Sequence, residues 1–135
     1  MQKHYQLTRE RLKKFLSKDQ LAATLYSERI PVQLSVYAAP GRISYAEAMQ
    51  GDYHPASIGQ RFGPDWSTHW FKLVIDIPLA WKDREVHLLW DLAAEGCIWR
   101  DGQPVQGLAG SSNGYIMEVL RGEYFLTKQA AGGEH

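Results

Sequence analysis

The chain has 135 residues, with 44% hydrophobic and 22% charged side chains and a formal net charge of +0. That length fits one domain, and the composition is that of a globular chain able to bury a core rather than of a disordered one. Charge balance leaves no global field to recruit nucleic acid or an anionic membrane, so neither is expected as a partner.

The first eighteen residues carry Lys3, Arg9, Arg11, Lys13, Lys14 and Lys18 against one acid, Glu10. Tyr5, Leu12, Phe15 and Leu16 fall near one face at helical spacing, which predicts a helix over 5–16. Ser17 followed by Gln20 has the form of a capping box. It predicts a second helix over 18–26, burying Leu21, Leu25 and Tyr26 and stopping before Pro31. The start lacks the apolar core of a signal peptide, and no apolar run approaches the ~20 residues of a membrane span.

Residues 32–37 alternate and predict a strand, and Pro40-Gly41 a turn. Ser44 and Glu47 form another capping box, opening a short helix through Met49. Gly51, Pro55, Gly59, Gly63 and Pro64 make 51–65 an irregular loop. In 70–77, Phe71, Leu73, Ile75 and Ile77 point one way and Lys72, Val74 and Asp76 the other, the period of a half-buried antiparallel strand that Pro78 ends. Val86, Leu88 and Trp90 line one face of the next strand. The strands around Asp101-Gly102 should close through a type I′ turn, whose two central residues both take positive φ. From Ala109 the signals weaken, and residues 128–135 are small and polar and are expected to fray. The expected organisation is a helical segment over 1–31, a partial β-sandwich over 32–108 and a divergent, poorly ordered tail over 109–135.

Chemistry is sparse. The five histidines, His4, His54, His69, His87 and His135, have no metal-ligand spacing, and His87 falls on the polar face of its strand, where a solvated ring is expected. Asp65, Asp91, Glu95 and Asp101 lie in or beside loops, but a glycosidase pair needs a separation that sequence does not fix, and Asp101 reads as a turn former. The lone Cys97 alternates on a strand and reads as a small core residue; it can form neither an internal disulfide nor a cysteine-based zinc site. That fits a reducing, cytoplasmic compartment. No catalytic residue and no metal ligand is assigned. Of the five tryptophans, Trp70, Trp90 and Trp99 lie on strand patterns and read as core. Trp66 and Trp81 lie in loops and are the candidates for contact with a sugar or a neighbouring domain.

Several segments carry a family resemblance: Pro40-Gly41-Arg42-Ile43-Ser44-Tyr45-Ala46-Glu47-Ala48, Phe62-Gly63-Pro64-Asp65-Trp66-Ser67-Thr68-His69-Trp70-Phe71, and Glu95 to Leu108 with its Trp99-Arg100-Asp101-Gly102-Gln103-Pro104-Val105-Gln106-Gly107 run. Over roughly residues 5–108 the chain resembles the N-terminal domain of the cytosolic α-mannosidases of glycoside hydrolase family 38. The resemblance implies a mainly β fold with N-terminal helices, a partial galactose-binding-like jelly-roll sandwich. It also implies a large parent enzyme that trims α-mannose from free oligosaccharides with retention, using a divalent metal (zinc or cobalt). The nucleophile and metal ligands of such enzymes lie in a downstream catalytic domain, against which this domain would pack. No position of this chain matches them. A mannose oligosaccharide is the other implied partner, in an alternative reading as a free-standing carbohydrate-binding or regulatory module.

Overall fold

The computed structural model describes residues 2–15, 25–92, 94–110 and 121–135. They divide into two compact units, Met1–Pro31 and Val32–His135.

In the first unit, helix α1 spans Gln2–Phe15, and Lys13 and Lys14 in its last turn oppose the negative end of the helix dipole. The expected capping box at Ser17 and most of the second helix lie outside the described residues. Leu25, expected on that helix's buried face, is 64% exposed. The Arg29 guanidinium lies 5.4 Å from the centre of the Tyr26 ring.

Among the described residues of the second unit every strand pair is antiparallel, and a short α-helix and a 3-10 turn accompany them. Strand β1 (Gln33–Ala39) lies between β2 (His54–Pro55) and β3 (Thr68–Val74). Helix α2 (Tyr45–Met49) leaves β1 through the expected capping box. Glu47 N–H donates to Ser44 Oγ at 3.3 Å, and Ser44 N–H donates to Glu47 Oε2 at 2.8 Å. Hydrogen bonds from the Ser44 hydroxyl and then its N–H hold the Glu47 carboxyl below the ordinary carboxylate range.

Strand β4 is Val86–Leu89, β5 is Glu95–Arg100, β6 is Gln103–Ala109 and β7 is Glu123–Thr127. β5 and β6 form a hairpin in which Asp101 (φ 52°) and Gly102 (φ 75°) both take the positive φ of a type I′ turn. β4 pairs with β7, and the register slips between Val86 and His87, so Leu126 is an extra residue in β7. The bulge lets Leu126 turn toward the core while its neighbour Phe125 stays opposite His87.

That core gathers Ile77, Val86 and Ala130, with Ile75, Trp81 and Leu126 packed on it. Ala130 is 1% exposed. The expectation of a poorly ordered tail is therefore corrected for residues 121–135. They close the core with β7, and the irregular segment after β3 and the turn before β4 receive their backbone. Ala130 N–H donates to Arg84 O at 2.9 Å, Asp83 N–H to Ala130 O at 2.9 Å, Gly133 N–H to Ile77 O at 2.8 Å and Ile77 N–H to Glu134 O at 2.9 Å. Polar composition misleads here because the residues stabilise through main-chain groups, which carry no compositional signal.

The β5–β6 hairpin is far more open. Most of its residues are exposed, and only Leu108 is buried. It meets β7 through an isolated bridge between Ala109 and Arg121, and through side chains: Gln106 Nε2 donates to Glu123 O at 2.6 Å and Arg100 Nη1 to Leu126 O at 3.5 Å. Among the described residues no helix is long and apolar enough to cross a membrane.

Candidate functional site

The loop between β2 and β3 carries the most exposed aromatic side chain among the described residues. Pro64-Asp65-Trp66-Ser67 is a turn: Ser67 N–H donates to Pro64 O at 3.2 Å, and the Ser67 hydroxyl donates to the same oxygen. Trp66 holds a left-handed backbone (φ 65°) and is 103% exposed. A bulky residue in that conformation costs on the order of 1–3 kcal/mol, and its indole gains nothing from burial in return. Farther back in the same loop, Ile58 is also exposed. The loop is tethered by Phe62, whose ring meets Phe71 edge-on at 5.1 Å and His69 at 5.6 Å.

Trp81 has a different setting. It ends the 3-10 turn Leu79–Trp81, packs against Ile77, Val86 and Ala130, and lies 5.9 Å from the Arg84 guanidinium. The two loop tryptophans thus have different surroundings: Trp66 presents its whole ring to solvent, whereas Trp81 places part of its ring in the core.

The strand tryptophans form an aromatic seam rather than a sealed core. Tyr45 on α2 stacks on Trp99 at 5.2 Å and 19°, and Trp70 meets Trp99 at 5.9 Å and Tyr45 edge-on at 6.3 Å. On the neighbouring side Phe71 meets Trp90 at 5.2 Å. Trp99 remains 37% exposed, because it sits on the open hairpin. Its truncation to Ala should therefore cost about 2 kcal/mol, below the range for a sealed aromatic. Urea unfolding of Trp99→Ala measures this, and a loss near 5 kcal/mol would mean a closed core around the ring.

The Lys72 ammonium sits 4.0 Å over the Tyr53 ring, whose centre lies 5.7 Å from that of the tilted Tyr37 ring. Burial, then the neighbouring Tyr37 and Tyr45, push the Tyr53 phenol up.

The sequence reading placed Cys97 in the core, but it is exposed. It lies opposite Gly107, which has no side chain to cover it, and space above Gly107 is open. His87, expected in solvent, has a side chain only 20% exposed, because β7 covers it. Neither burial could be read without knowing which strand lies alongside. Ser67 Oγ lies 3.4 Å from His69 Nδ1, but the Ser67 hydroxyl is engaged with Pro64 O. Among the described residues no three His, Cys, Asp or Glu side chains come together as a metal donor set.

Comparison with known proteins adds to this geometry. A family model described as α-mannosidase, jelly roll domain, matches residues 30–135. Alpha-mannosidase G of Dictyostelium discoideum is 39% identical over 142 aligned residues, taking in 100% of this chain and 13% of the relative. Alpha-mannosidase 2C1 of Homo sapiens is 43% identical over 129 residues, taking in 90% of this chain and 12% of the relative. The chain thus spans about an eighth of the length of these relatives. The match runs through residue 135, which corrects the expectation that likeness stops at Ala109.

Proposed function

We propose a function from one premise: the chain belongs to the α-mannosidase family, as its N-terminal jelly roll domain. In this reading it is the non-catalytic N-terminal portion of an enzyme that hydrolyses α-mannosidic bonds with retention. The parent enzyme acts in the cytoplasm on free mannose-containing oligosaccharides and belongs to glycoside hydrolase family 38. Its divalent metal, zinc or cobalt, and its nucleophile are held by the catalytic domain beyond this chain. The role of this portion is to dock on that domain.

The observation that carries the docking role is Trp66. Its ring is fully exposed on a turn pinned by Ser67, with a backbone conformation unfavourable for so large a residue. Strain and exposure together are offset when a partner covers the ring, and large aromatic anchors of this kind dominate protein interfaces.

The test uses this chain with the catalytic portion of a relative supplied separately. Trp66→Ala should weaken their association at least tenfold while leaving the unfolding midpoint of the chain unchanged. Equal binding by wild type and variant would overturn the role of Trp66. The same exposed ring would suit stacking on a pyranose, the alternative reading as a carbohydrate-binding module. Titration with mannose oligosaccharides, followed by tryptophan fluorescence, separates the two. No response is expected; a quench abolished by Trp66→Ala would favour sugar binding instead. With an aryl α-mannoside and added cobalt or zinc, the chain alone is expected to give no turnover.

A further inference from the structure

Two turns of the loop between β2 and β3 are built alike. In Ser57-Ile58-Gly59-Gln60, Gln60 N–H donates to Ser57 O at 3.1 Å, and Ser57 N–H donates to Gln60 Oε1 at 3.1 Å. In Pro64-Asp65-Trp66-Ser67, the Ser67 N–H and the Ser67 hydroxyl both donate to Pro64 O. Each turn has a positive φ at its third residue, Gly59 (86°) and Trp66 (65°), the pattern of a type II turn. Each is closed twice, once by main chain and once through a side chain. Each also displays one large apolar residue to solvent: Ile58, 79% exposed, in the first and Trp66 in the second.

Exposed turns ordinarily draw glycine, proline, asparagine, aspartate or serine. A branched aliphatic side chain and an indole gain nothing from water there. The double closure holds both in place before any contact forms, which lowers the ordering cost of binding. Phe62, midway between them in sequence, packs on Phe71 and His69 and ties both turns to β3. Ile58 and Trp66 are eight positions apart in sequence, so even an extended chain separates them by at most about 28 Å. A standard protein interface covers ~800 Å² on each partner, roughly 30 Å across. The two side chains can therefore share one footprint. Between them Arg61 and Asp65 balance in charge, so the loop offers apolar contact rather than a field of one sign. Ile58 has no flat ring and suits an apolar pocket, not the face of a pyranose.

We propose that residues 57–67 form a two-anchor docking loop, in which Ile58 enters a second apolar pocket on the same protein surface that receives Trp66. The proposal rests on the docking reading of Trp66 and takes the same partner, the catalytic portion of the parent enzyme. This chain spans 13% of the Dictyostelium discoideum relative and 12% of the human one, and the remainder of such a protein supplies the surface. The pockets it offers are apolar and uncharged.

The experiment measures association of the chain with the separately supplied catalytic portion of a relative. Wild type, Ile58→Val, Ile58→Ala, Trp66→Ala and the double Ala variant are compared. Ile58→Ala should weaken association about tenfold. Ile58→Val, which keeps a branched apolar side chain, should stay within about threefold of wild type. The double variant should lose about the product of the two single effects, as separated sites do. Raising salt from about 0.05 M to 0.5 M should change the affinity less than about threefold. Urea unfolding midpoints of Ile58→Val and Ile58→Ala should equal that of the wild type, because the side chain is exposed. If Trp66→Ala weakens association and Ile58→Ala does not, the second anchor is overturned and the role of Trp66 stands. If neither does, or the wild type does not associate, both readings fall. A lowered unfolding midpoint in Ile58→Ala would place the side chain in the fold, and a steep salt dependence would make the partner surface charged; either overturns the proposal.

Discussion

Removal of residues 128–135 is expected to lower the stability of the Val32–His135 unit by about 4 kcal/mol. Composition alone would place no structure there. The segment nevertheless makes four backbone hydrogen bonds to Ile77, Asp83 and Arg84. Each is worth about 1 kcal/mol net. Losing Ala130 also opens one side of Ile77 and Val86 to water. The Gln129 amide, which donates to Asp83 Oδ1 at 2.8 Å, goes as well. Against a typical domain stability of roughly 5–15 kcal/mol, the truncated chain would stand near the edge of folding. Urea denaturation followed by tryptophan emission reads the change, and an unaltered midpoint would return these residues to the status of a frayed end.

Gly122→Ala should be nearly as damaging, at about 3 kcal/mol. Trp90 N–H donates to Gly122 O at 2.7 Å, at the end of the β4–β7 pair. A Cβ at Gly122 would fall well inside van der Waals contact with the Trp90 carbonyl oxygen. Backbone cannot swing aside as a long side chain can, so either the pair separates or the strand shifts. Gly107→Ala is the matched control, because a Cβ there meets nothing within 4 Å. Thermal unfolding should separate the two substitutions clearly, and similar melting temperatures would show that the end of β7 tolerates displacement.

What could be read from the residues was what is fixed locally or by short-range periodicity. The Ser44–Glu47 box, the positive φ of Asp101 and Gly102, and the alternation leading through Phe71 and Leu73 are of this kind. The Trp99-to-Gly107 run also pointed to the family before any geometry was known. β7 was hidden for two physical reasons. Its partner β4 lies far back in the chain, and the extra Leu126 breaks the alternation that marks a strand. Trp66 and Trp81 show the same limit at the candidate site. Both are loop tryptophans near proline, yet one is fully exposed and the other rests on Ile77, Val86 and Ala130. The difference depends on a C-terminal residue, Ala130, whose contact neither local pattern reveals. His87 likewise looked solvated until β7 was placed across it.

The seam between β6 and β7 has a consequence for how the molecule comes apart. An ordinary ladder resists opening along its whole length, since each rung must break with its neighbours. Here, among the described residues, the link is the Ala109–Arg121 bridge, together with the amide of Gln106 and the guanidinium of Arg100 resting on β7 carbonyls. Side chains can let go one at a time and exchange their partner for water. The β5–β6 hairpin can therefore peel from the body as a separate cooperative segment, by excursions that leave the Ile77–Val86–Ala130 nucleus closed. Lifting it would uncouple Trp99 from Tyr45 and Trp70 without unfolding the chain.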